Sequence, residues 1–151
     1  LSTESAFAHA QIADRDMAAC CVSAVWLLHD DLHASHQLSQ QIDNSSGSFW
    51  HGIMHRREGD FSNARYWFRQ VGGHDVLNAL SQRAAEIAAV RGEERALKKL
   101  ITGGAWDACA FVDLCETVVR GQGSTRELCL DIQQAEWELL FDHCYRAAVE
   151  G

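Results

Sequence analysis

The chain has 151 residues, no proline, and thirteen basic against twenty-one acidic side chains, a formal charge of −8. That length is one domain, 1–151, whose core can hold the fold without disulfide or metal staples. The charge excludes a nucleic-acid surface, because neutralising phosphates takes a basic face.

Apolar residues recur at spacings of three and four, and strand signals are lacking, so the fold class read from the chain is all-α. The expected architecture is a compact bundle of about six helices. The first helix is expected from about Asp16 to Ile42, capped by Asp14 or Asp16, with Met17, Cys20, Ala24, Leu38 and Ile42 on its apolar stripe. Its apolar run Met17 to Leu28 is too short to span a membrane. The acids Asp14 and Asp16 before that run have the wrong sign for a signal peptide. The segment from Asp43 to Ser48 reads as a turn. Ser48 then caps a helix from about Phe49 to Glu58, and Asp60 caps another from about Ser62 to Val71, which Gly72 and Gly73 end.

The second half continues in the same way. A helix is expected from Val76 to about Arg91, followed by a short amphipathic segment and a break at Gly103 and Gly104. Another helix is read within the stretch from Ala105 to Gly121. The final helix follows a cap at Ser124 or Thr125 and carries Leu130, Trp137, Leu140, Phe141, Cys144, Tyr145 and Ala148. Such stripes are core rather than cofactor sites. The six cysteines show no Cys-x-x-Cys spacing, which excludes a zinc knuckle. On apolar helices they read as reduced, buried thiols of a cytoplasmic protein.

The chemistry concentrates in the stretch from Phe49 to Gly73. Four arginines, Arg56, Arg57, Arg65 and Arg69, form a small cationic island with Glu58 and Asp60 in an otherwise acidic chain. Six of the eight histidines lie between 29 and 74. His29, His33 and His36 share one helical face, and so do His51, His55 and Glu58. A short turn between the two helices folds them against each other and brings His36 to His55. Inward imidazoles and a carboxylate from facing helices are how bundle metal sites are built. The candidate metal ligands are therefore His36, His51, His55 and Glu58, with a divalent transition metal as the cofactor they would suit. Asn63, Ser35 and Ser39 are candidate hydrogen-bond partners.

Arg56 or Arg57 at the edge of such a pocket, with Asn63 and Tyr66 beside it, would instead favour an anionic small molecule or peptide. The plain alternative for these arginines is pairing with Glu58, Asp60 or a helix C-terminus. Tyr66 and Trp67 are candidate walls of such a pocket, with core packing the favoured role for Trp67. No Glu-x-x-His pair, zincin motif, phosphate loop or nucleophile elbow is present. Two functions follow from the residues: a helical protein binding an anionic ligand, and a metal-dependent or histidine-based enzyme using His36, His51, His55 and Glu58.

The pattern from Gly52 through Gly59–Asp60–Phe61 to Ala64 and Phe68 resembles one tetratricopeptide-type helix pair. There the small residues let two antiparallel helices approach closely. No second copy follows, so the resemblance implies a single hairpin within a bundle rather than a solenoid. The longer block running from His33 through "GSFWHGIMHRREGDFSNARYWFRQVG", with the C-terminal "EWELLFDHCYRAA", resembles a family of uncharacterised bacterial and fungal proteins. It implies the boundaries of the unit and carries no activity.

Overall fold

The helical periodicity becomes nine α-helices among the described residues, 1–150, of the computed structural model. They account for most of a chain that is 75% helical. In order they are α1 (Thr3–Ala6), α2 (Arg15–Leu28), α3 (Leu32–Ser39), α4 (Ser45–Glu58), α5 (Phe61–Val71), α6 (Asp75–Arg91), α7 (Glu94–Leu97), α8 (Ala108–Val119) and α9 (Arg126–Glu150). A two-stranded antiparallel hairpin, β1 (Ile101–Thr102) and β2 (Ala105–Trp106), precedes α8. Gly103 and Gly104 supply its turn with φ of 60° and 83°, the double left-handed conformation of a tight hairpin loop. No described helix is long and apolar enough to cross a membrane.

The chain's contacts gather into two compact units. One comprises Leu1–Gly72 with the end of the chain from Leu140, and the other comprises Gly73–Leu139. In the first unit α4 packs on α5, and α2, α3 and α4 pack on one another. Its core includes Cys20, Val22, Leu27, Phe49, Trp50, Met54, Ala64 and Phe68. The last turns of α9 join it through Ala148, whose carbonyl accepts from the backbone N–H of Ala13 at 2.7 Å. The second unit closes over Leu80, Ala84, Ala88, Leu100, Phe111, Val112, Leu128 and Ile132.

Two corrections to the sequence reading position the site. The expected helix from Asp16 to Ile42 is two helices. The chain turns at His29–Asp31, where Asp30 takes a left-handed φ of 63° and the Asp31 carboxylate caps α3 by accepting from Ala34 N–H. An aspartate tolerates that conformation, and its neighbour restarts the helix. Secondly, α4 begins at Ser45 rather than Phe49, because Asn44 and not Ser48 is the cap, accepting from Gly47 N–H at 2.8 Å. The caps at Asp14 and Asp60 stand where the sequence places them.

Close helix approach explains two glycines of α4. A Cβ at Gly52 would meet the Phe68 ring at 3.1 Å, so α4 and α5 touch there nearly backbone to ring. A Cβ at Gly47 would stand 2.5 Å from the Ile42 carbonyl oxygen, which folds the α3–α4 connection tightly onto α4. That tight turn carries α3 across the face of α4. None of the six cysteines is in a disulfide; five are buried and Cys109 is half-buried.

Candidate functional site

Helix α3 presents His36, and helix α4 presents His51 and His55 one turn apart. The three imidazoles converge. Ring centroids are 4.8 Å apart for His36–His51, 5.4 Å for His36–His55 and 4.8 Å for His51–His55. The His51 and His55 rings are stacked, with planes 15° apart, and His36 stands edge-on to both. One ring nitrogen from each of the three lies within 4.8 Å of the other two.

Burial sets the charge of this cluster. His51 is 2% exposed and His55 7%, while His36 is half-buried and forms the outward side. Burial pushes the His51 pKa down to about 3, reinforced by His55 and His36 beside it. Burial also lowers His55, against an opposing pull from Glu58. Desolvation penalises an imidazolium, and like charges cannot crowd into one site. Buried His51 and His55 are therefore neutral near pH 7, the state in which an imidazole nitrogen can ligate.

Neither ring nitrogen of His51 has a hydrogen-bond partner. A buried polar atom without a partner costs free energy and is uncommon in folded proteins. The ring is instead held by flat contacts, with His55 on one side and Trp67 of α5, whose indole stacks at 4.0 Å with planes 13° apart. The serines expected to serve these rings are engaged elsewhere. Ser35 bonds Ser23, and Ser39 donates to the His36 carbonyl.

The remaining sequence candidates divide. Glu58 sits beside the cluster, with Oε1 at 3.5 Å from His55 Nδ1. Arg57 leaves it: one guanidinium nitrogen donates to the Leu27 carbonyl at 2.7 Å, and another pairs with Asp30 at 3.2 Å. This is the helix C-terminus partner, at the end of α2. Arg56 is buried, with its guanidinium carbon 5.5 Å from the centre of the Phe68 ring. Asn63 belongs to the α5 cap, its amide donating to Asp60 Oδ2 at 2.7 Å. Tyr66 is 52% exposed and touches Trp67 edge-on.

Trp67 is the site neighbour for which the sequence reading favours the core. Three aromatic residues in a row, Tyr66 to Phe68, hide which one turns toward α4. Only Phe68 is fully buried, while Trp67 is half-buried against His51. The other histidines stand apart. His29 and His33 are exposed, His9 meets Tyr145 at 3.1 Å, and His74 caps α6.

The second unit has an open cavity of about 580 Å³ lined by Arg83, Glu86, Ile87, Val90, Arg91 and Asp131. Its charges are matched, Arg91 to Asp131 and Arg83 to Glu86. It offers no reactive constellation comparable with the imidazoles. No family model matches this chain, and no curated protein or solved structure matches it.

Proposed function

We propose that this protein binds a divalent transition metal through His36, His51 and His55. The observation that carries the reading is the buried His51 ring, lacking a hydrogen bond at either nitrogen and facing two other imidazoles within 4.8 Å. A metal ion would satisfy one of these two nitrogens, the ring being held otherwise by its flat contacts with His55 and Trp67. Imidazole donors suit zinc, copper, iron and nickel. Around tetrahedral zinc, ligand nitrogens stand about 3.4 Å apart at bond lengths of about 2.0–2.1 Å. The present spacing of up to 4.8 Å would close by about 1.4 Å on binding.

Three protein ligands leave a coordination position for water or substrate, the arrangement of catalytic rather than structural zinc sites. His36, on the half-buried side, marks where that position opens. An enzymatic role using the same three histidines and Glu58 is thus the natural extension of metal binding. An anionic ligand has less support, because a neutral His51 offers it no charge and the Arg57 guanidinium is already spent on Leu27 and Asp30.

Elemental analysis of protein purified without a metal-affinity tag tests the reading. Close to one transition-metal ion per chain, lost in His36→Ala, is the expected result. Metal-free protein that also fails to take up zinc, nickel or copper would overturn it.

A further inference from the structure

Resting on the metal-binding reading, the geometry points to Glu58 as a positioning residue that accepts the Nδ1 proton of His55 and so presents His55 Nε2 to the metal. An imidazole that ligates through one nitrogen is oriented by a hydrogen bond at the other. The usual acceptor is a carboxylate, which fixes the tautomer and raises ligand basicity.

His55 Nδ1 lies 3.5 Å from Glu58 Oε1 and makes no hydrogen bond of its own. The Glu58 side chain is 38% exposed and has room to turn. A small rotation brings the oxygen to the roughly 2.7–2.9 Å of a charge-assisted hydrogen bond. The i,i+3 spacing on α4 holds the pair on one helical face whatever the rotamer.

A competing arrangement is a second cation held by His55, Glu58 and Asp60, whose ligand atoms also lie within 4.8 Å of one another. Asp60 argues against it. Its Oδ1 accepts the backbone N–H of Asn63 at 3.1 Å, and its Oδ2 accepts the Asn63 side-chain amide at 2.7 Å. Both oxygens already accept one hydrogen bond each in the α5 cap, so Asp60 is the more engaged of the two carboxylates. Glu58, with Oε1 at 3.5 Å from His55 Nδ1, is the less engaged one.

The test is cobalt(II) titration of the metal-free full chain, followed by the visible absorption of the bound ion, for wild type, Glu58→Ala and Glu58→Gln. Glu58→Ala should weaken affinity by about 10–100-fold, the usual loss when such a partner is removed. Its cobalt spectrum should be altered and its thermal midpoint unchanged. Glu58→Gln keeps an acceptor without the charge and should bind with an affinity between those of wild type and Glu58→Ala. Equal affinity and an identical spectrum in Glu58→Ala would overturn the positioning role and leave the histidine site standing. Equal impairment of both variants would overturn it in favour of a bulk charge effect. A wild-type protein that binds no cobalt would instead remove the metal reading and this inference with it.

Discussion

The Trp67 indole lies flat on the His51 imidazole, with ring centroids 4.0 Å apart and planes 13° apart. The contact ties helix α5 to the most deeply buried ring of the histidine cluster. It also puts a fluorophore beside the proposed ligand. Paramagnetic copper(II) or nickel(II) bound at His51 should quench that indole strongly. In Trp67→Phe the fractional quenching should fall markedly, the remainder coming from Trp50, which adjoins His51 on α4, among the four tryptophans left in the chain. Steady-state fluorescence across a metal titration measures this, and equal fractional quenching in the two proteins would argue against binding at His51.

The buried imidazole makes the first unit sensitive to acid. In the folded protein the His51 pKa lies at about 3, against 6.5 for the ordinary side chain. An unfolded chain therefore binds a proton between these values that the folded chain refuses. Stability from this source is complete above pH 6.5 and falls as the pH drops toward 3. By pH 4 the loss from His51 alone is about 3 kcal/mol. Urea unfolding at pH 7, 5 and 4 gives the slope, and His51→Phe should reduce it, the lowered His55 contributing in the same direction. An unchanged slope in that variant would place the acid sensitivity elsewhere.

Tight packing at the start of α4 yields a mutational prediction of unusual sign. Alanine exceeds glycine in helix propensity by about 1 kcal/mol, so Gly47→Ala in an open helix would stabilise. Here the new methyl group would stand 2.5 Å from the Ile42 carbonyl oxygen, a backbone atom that cannot swing away. Overpacking of this kind costs about 1–3 kcal/mol. Gly47→Ala should lower the thermal midpoint, measured by circular dichroism at 222 nm. A raised midpoint would show that the turn relaxes freely.

The thiols give a check on the packing. Cys20, Cys21, Cys115, Cys129 and Cys144 are buried, and only Cys109 is half-buried. Burial raises the Cys21 pKa to about 12, which suppresses its thiolate. Under native conditions a thiol reagent should label Cys109 first and the other five only on unfolding. Fast labelling of several cysteines in buffer would contradict the packing described.

Much of this site was legible in the residues because its logic is local. His51 and His55 share a face by the helical period, and the short segment before Ser45 leaves α3 little choice but to pack on α4. The caps at Asp14 and Asp60 followed from their own side chains. The division of α2 from α3 was hidden, because the apolar spacing runs through it while Asp30 and Asp31 break it by backbone conformation. The partner of Arg57 was legible only in kind, as a helix C-terminus, and not as to which helix. It is the Leu27 carbonyl, thirty residues away, and a main-chain acceptor leaves no mark on side-chain pattern. Trp67 was only half legible because three consecutive aromatics offer the helix three faces at once, and packing against α4 decides between them.

In the proposed site three imidazoles from α3 and α4 close on one ion. Calorimetric titration of metal-free, untagged protein with zinc at pH 7.5 checks this. A single site per chain is expected, with binding lost in His36→Ala while the circular dichroism spectrum stays that of the wild type. His36 is the variant of choice because it is half-buried and its removal leaves the core of α4 intact. Absence of zinc binding in the wild type, or binding of undiminished affinity in His36→Ala, would contradict it.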